Sequence, residues 1–202
     1  MPIPKQILVK LYNHQHQSMS EIASLLSCSL HKVNYWMSKY NLPRRSLSDA
    51  NYHKYNPSGD PFQIKKSLTI GEQRLLSLSL GLFWGEGNKV NPEGVRLGNS
   101  DPNLIKIWCQ FLRQICNVRE DKIHFHLQIF HDNDPIVAKN YWAQHLSINQ
   151  NRITSGTPTK KLGKGSYRKL NQHGVMTVGV YNTHFRVWIM AQLSKLGYNF
   201  DY

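Results

Sequence analysis

The sequence is poor in acid. Against 25 Lys and Arg it has only 12 Asp and Glu, for a formal net charge of +13 and a pI near 9.8. Between Asp134 and Asp201 there is no acidic residue at all, while Lys139, Arg152, Lys160, Lys161, Lys164, Arg168, Lys169, Arg186 and Lys195 fall in that interval. Positive charge without an internal counterpart repels itself unless an outside polyanion neutralises it, and nucleic acid is the commonest such partner. Cysteine is scarce too. Cys28, Cys109 and Cys116 are odd in number and show no CxxC spacing, which argues against a disulfide framework and fits a reducing compartment. The longest apolar run, Leu75 to Trp84 broken by serines, is too short to cross a bilayer, and no secretory signal pattern opens the chain. A soluble, cytoplasmic protein without a membrane partner is expected, an organelle interior remaining open. There is no nucleophile elbow, Walker loop or dinucleotide fingerprint, and the histidines lack the spacing of a His–Asn–His metal finger.

What is present suffices for a packed core. Hydrophobic residues make up 40% of the 202 positions, and five Trp, ten Tyr and seven Phe are among the large ones. That length holds one ordinary domain, or a small one followed by a medium one.

Residues 1–45 read as the small one, built of three short helices. In KQILVKLYNHQH, Ile7, Leu8, Leu11 and Tyr12 lie on one side. Ser18 and Glu21 have capping-box spacing ahead of Ile22, Ala23, Leu25 and Leu26. After Ser27-Cys28-Ser29 comes LHKVNYWMSKY, whose Leu30, Val33, Trp36, Met37 and Tyr40 recur at helical spacing. His31, Lys32, Asn34, Tyr35 and Lys39 face outward. The arrangement resembles a helix-turn-helix, with Ser27 where a glycine usually stands. Its second helix would enter the major groove, and Arg44 and Arg45 after Pro43 would add DNA contacts. The stretch 46–67 has the composition of a linker, rich in Asn, Ser, Pro and Gly with Lys54, Lys65 and Lys66 along it.

Residues 68–202 form the second module. A helix is expected over about 70–86, short strands near 88–91 and 94–98, and a helix from Asp101 to about Cys116, with Asp101-Pro102 as its start signal. KIHFHLQIF alternates strictly, so it is a half-buried strand with His124, His126 and Gln128 on its polar side. A helix over 135–147, a basic glycine-rich loop, the strand VMTVGVY and a last helix over 183–196 complete the order. The fold class is α+β: an antiparallel sheet with helices on one face and a polar face carrying Arg96, His124, His126, Gln128, Thr177 and Tyr181. Those residues, with Lys89 and the loop cations Lys160, Lys161, Lys164, Arg168 and Lys169, are the expected DNA contacts. His124 and His126 form at most a metal pair lacking a third ligand.

The segment SLGLFWGEG, residues 79–87, resembles the LAGLIDADG motif of homing endonucleases. Gly81, Gly85, Glu86 and Gly87 match its third, seventh, eighth and ninth positions; Ser79 and Leu80 replace the leading pair, and Trp84 stands where an acid is common. The resemblance covers residues 70–196 and implies the family's αββαββα half-domain. It further implies a homodimer through the helix of residues 70–86, with Gly81 and Gly85 admitting the partner helix closely. Two Glu86 carboxylates would then hold Mg²⁺ or another divalent cation beside scissile phosphates, with Asn99 positioning water and a basic residue nearby, for which Lys164, Lys169 and Lys195 were equally eligible. Site-specific cleavage of double-stranded DNA is the activity implied. The alternative is a non-catalytic DNA-binding regulator with a degenerate domain of this kind, and an RNA-binding maturase is the weaker third.

Overall fold

In a computed structural model, residues 2–131, 133–158 and 172–197 are described. The chain divides into two compact units, residues 1–60 and 61–202.

The first unit opens with α1 (Lys5–Leu8), which widens into a π-helical stretch over Val9–His14. Then come α2 (Met19–Leu25) and α3 (Leu30–Lys39). The caps follow from the sequence. Ser18 and Glu21 bond reciprocally in a capping box at α2, and Ser29 accepts from the Lys32 amide at α3. The turn between them places Ser27 at φ +48°, the left-handed region that glycine adopts with least strain. Leu8, Leu11, Tyr12, Ile22, Ala23, Val33 and Met37 close a small core.

Arg45, expected on sequence grounds at DNA, is engaged inside this unit. Its guanidinium donates to the carbonyls of Tyr12, His16 and Gln17 at 2.6–2.8 Å and lies 4.0 Å from the Tyr12 ring centroid. It thus ties off the carbonyls at the end of the first helix. Arg45→Met keeps the aliphatic stem and removes these bonds. Thermal or urea unfolding is expected to lose about 2–3 kcal/mol in this unit. A DNA-contact role alone would instead lower affinity and leave the unfolding midpoint in place.

The stretch that composition marks as a linker, 46–67, is divided in the structure. Ser46 caps α4 (Leu47–Tyr55), a helix that buries no residue. Residues 61–66 belong to the second unit: Gln63 and Lys65 donate backbone bonds to Cys116 and Ile115, and Phe62 and Ile64 pack on its core.

The second unit begins with α5 (Ile70–Glu86), started by a capping box of Thr69 and Glu72, with Glu72 also paired to Lys65. After α5 follow β1 (Val95–Asn99) and α6 (Pro102–Gln110), which runs on as a π-helical stretch over Phe111–Ile115. Next are β2 (His124–Gln128), α7 (Pro135–Leu146), β3 (Ile153–Ser155), β4 (Val175–Val180) and α8 (Thr183–Lys195). The sheet is mixed, in the order β1-β4-β2-β3. β4 runs antiparallel to both neighbours, and β2 pairs parallel with β3.

This departs from the expected antiparallel sheet in two places. Residues 88–91 are a turn, not a strand: Asn88 Oδ1 accepts from the amides of Val90 and Asn91, and pairing is limited to a Gly87–Leu97 bridge. The short β3 has no sequence signature, because three residues carry too little alternation to register. Its parallel pairing with β2 requires a crossover, which α7 supplies.

One face of the sheet is apolar. Val95, Leu97, Phe125, Leu127, Met176, Val178 and Val180 pack there against α5, α6 and α8, and Trp108 donates to the Val178 carbonyl. Cys109 and Cys116 sit in this core, where desolvation pushes the Cys109 thiol up to about 12. Glu120 clamps the outside, accepting from Arg113 and Arg152; the Arg113 hydrogen bond is the first cause holding its carboxyl near 2. Among the described residues no helix is long and apolar enough to cross a membrane.

Candidate nucleic-acid interface

The polar face is ordered by strand register. One row across it reads Arg96, Gly179, His124; the next reads Gly98, Thr177, His126, Thr154. Glycine in these rows makes room. A Cβ on Gly179 would lie 2.7 Å from Arg96 Cγ, and one on Gly98 would lie 2.8 Å from Thr177 Oγ1. Arg96 therefore leans across Gly179, its guanidinium carbon 5.9 Å from the Tyr181 ring centroid, with a buried Nε that has no acceptor.

α5 ends against this face. A concavity of about 420 Å³ is lined by Glu86, Gly87, Asn88, Arg96, Gly98 and Thr177. It brings together four residues singled out from the sequence: Glu86, Gly87, Arg96 and Thr177. Among the described residues no hydrogen bond or ion pair engages the exposed Glu86 carboxylate.

Three glycines of the 79–87 segment divide by role. Gly87 is required by packing within the chain: an added Cβ would come within 2.2 Å of Phe83 Cδ2, and Phe83 is fixed by stacking on Trp108. Gly81 and Gly85 are exposed on the outer side of α5, and a Cβ on either would meet nothing within 4 Å. With Leu78 (50% exposed) and Trp84 (39% exposed) they form an outward apolar stripe at helical spacing that lacks bulk at the two glycines. No internal contact accounts for two helix-interior glycines that each cost roughly 1 kcal/mol relative to alanine.

Other expected residues take different places. Asn99 does not line the concavity. Its side chain accepts from the Asp101 amide, and strand alternation turns it to the side of Val95 and Leu97. Lys89 caps α5, its ammonium donating to the carbonyls of Trp84 and Gly87, where the helix dipole favours a cation. Arg186, almost fully buried on α8, donates in turn to the Lys89 carbonyl. Neither Arg186 nor Asn88 had a local signal marking it. Gly98 and Gly179 matter through cross-strand pairing alone. Lys195 is exposed at the end of α8. Lys160, Lys161, Lys164, Arg168 and Lys169 lie outside the described residues.

On β2, His124, His126 and Gln128 are exposed while Phe125 and Leu127 are buried. The two imidazoles lean toward opposite neighbouring strands. His124 meets Tyr181 edge-on at 5.1 Å, and His126 is bonded to Thr154, so they do not converge on one metal. Partial desolvation, then the nearby Lys122 and Arg152 cations, holds His124 below the usual imidazole value, which favours the neutral ring. In the first unit, His31, Tyr35, Lys39 and Arg44 are exposed, and Lys32 and Asn34 are half-buried. The Lys39 ammonium lies 4.8 Å from the Trp36 ring centroid.

Within one chain the described residues offer a divalent cation a single carboxylate at this hollow. Glu86 contributes one unpaired carboxylate, while Asn88 Oδ1 is already held by two backbone amides. Among the described residues no group of three or more His, Cys, Asp or Glu converges. No family model matches the chain, and neither a curated protein nor a solved structure matches it.

Proposed function

We propose that the chain is a Mg²⁺-dependent, site-specific DNA endonuclease of the LAGLIDADG homing type, active as a homodimer. The observation that carries this reading is the outward pair Gly81 and Gly85 on the helix that ends in the free carboxylate of Glu86. Glycine four residues apart on an exposed stripe lets a second backbone approach closely. Two copies of α5 packed about a two-fold axis bring their Glu86 residues near each other, beside the polar sheet faces of both subunits. In this reading residues 87–88 are a vestige of the first strand of an αββαββα half, and α7 and β3 are carried between its last two strands, β2 and β4.

Mg²⁺ is held by one or two carboxylates together with phosphate oxygens, so the two Glu86 carboxylates and the bound DNA would complete a site that one subunit only half provides. The ion supplies polarisation of the phosphoryl group and acidification of a bound water. Arg96 shares the concavity with Glu86 and in this reading neutralises the phosphate; Lys195 does not line the concavity, and Lys164 and Lys169 lie outside the described residues. Thr177 and Asn88 edge the same hollow. The sheet face enters the major groove, and residues 1–45, read as a helix-turn-helix, extend the footprint.

The regulator reading draws on Trp84, which stands exposed where an acid is common, and on the single carboxylate per subunit. Incubation with Mg²⁺ and a library of duplexes, followed by mapping of double-strand breaks, separates the two. The nuclease is expected to leave breaks at a common sequence. Sequence-selective binding with no breaks would establish the regulator.

A further inference from the structure

His126 sits inside the sheet, in the row Gly98, Thr177, His126, Thr154, with its side chain exposed on the polar face. Its Nδ1 lies 3.2 Å from Thr154 Oγ1, and that hydroxyl donates its single hydrogen to the Phe125 carbonyl at 3.0 Å. A threonine hydroxyl has one proton to give. With that proton on the Phe125 carbonyl, Oγ1 faces His126 with a lone pair, so Nδ1 must carry the hydrogen. A neutral imidazole protonated at Nδ1 has an unprotonated Nε2. The hydroxyl of Thr154 thus decides which nitrogen of His126 offers a lone pair, and the described hydrogen bonds leave Nε2 without a partner.

We propose that His126 is a specificity-determining residue that accepts, through Nε2, a hydrogen bond from the exocyclic amino group of an adenine or cytosine in the major groove. This rests on the DNA-binding reading of the sheet face. A bare acceptor is repelled by phosphate oxygens and by the O6 and N7 of guanine. In the major groove the complementary donors are adenine N6–H₂ and cytosine N4–H₂. The position agrees: β2 lies between β4 and β3, away from the α5 edge of the sheet. Arg96, on the β1 edge, supplies donors instead, so the face offers donor and acceptor at separate places.

Two measurements test this with the full chain. Imidazole nitrogen chemical shifts in free protein at pH 8 are expected to report the Nδ1–H form for His126, and Thr154→Val should abolish that bias. An Nε2–H form in the wild type overturns the proposal whatever the DNA does. Duplexes enriched by the wild-type chain from a random library then serve as probes. Each adenine is replaced by purine, and each cytosine by 2-pyrimidinone, to delete one amino group at a time. One position in each half-site, one per subunit, is expected at which deletion weakens wild-type binding roughly threefold to tenfold and leaves binding by His126→Leu unchanged. The arm that responds identifies adenine or cytosine. Enriched duplexes with no position behaving this way would overturn the His126 assignment and leave the DNA reading standing. Failure to enrich any duplex would overturn both.

Discussion

Glu86→Gln is expected to abolish double-strand cleavage, with the Mg²⁺-dependent rate on the mapped site falling at least about a thousandfold. The amide keeps the size and hydrogen-bonding reach of the side chain but removes the anionic oxygen that a hard cation requires. Glu86 is exposed and, among the described residues, no hydrogen bond or ion pair holds its carboxylate, so the fold should not notice the change. In the proposed complex its charge would face phosphates beside Arg96, and neutralising it would remove a repulsion. Duplex affinity without metal is therefore expected to hold or to rise. Cleavage should fall while metal-free affinity does not, a pattern that misfolding cannot imitate. Cleavage retained near the wild-type rate would remove Glu86 from the chemistry.

Gly81 and Gly85 give the second large effect, again with two readouts of opposite sign. Replacing both by alanine adds a methyl where each subunit has open space, on a helix whose glycines cost roughly 1 kcal/mol apiece. Unfolding of the separated subunit is expected to become harder by about 1–2 kcal/mol. A close two-fold helix contact would feel the same methyls twice, and overpacking costs about 1–3 kcal/mol at each crowded site. Sedimentation equilibrium is expected to show self-association weakened by two orders of magnitude or more, and Gly81→Leu by still more. A stabilised subunit with undiminished association would mean that α5 is not the contact. Gly87→Ala is the control, since its Cβ would strike Phe83 within the same subunit and destabilise the fold itself.

Much of the architecture was legible along the chain. The capping box at Ser18 and Glu21, the Asp101-Pro102 start, the alternation of β2 and β4 and the helical periodicity of α3 all stand in the structure near their expected bounds. Each is a contest among neighbours within a turn or two, and such contests are settled locally. Composition misled where polarity was taken for looseness. Residues 47–55 are polar and helical because Ser46 caps them, and residues 61–66 are polar in part yet pair with the backbone after α6. Arg45 looked like a DNA contact because a surface arginine and an internal clasp have the same letter. The carbonyls that distinguish them lie some thirty positions away in sequence.

By itself the sequence determined an acid-poor chain with a small helical unit, a larger α+β unit and one half-buried sheet, since charge, capping and periodicity are properties of short stretches. Only the tertiary structure decided that β2 and β3 run parallel around α7, that Arg96 shares a hollow with Glu86 while Asn99 turns away, and that Gly87 faces inward while Gly81 and Gly85 face outward. Those outcomes depend on strand register and on which helix face the core covers. Both are set by pairings between residues far apart in the chain, whose energies no local window contains.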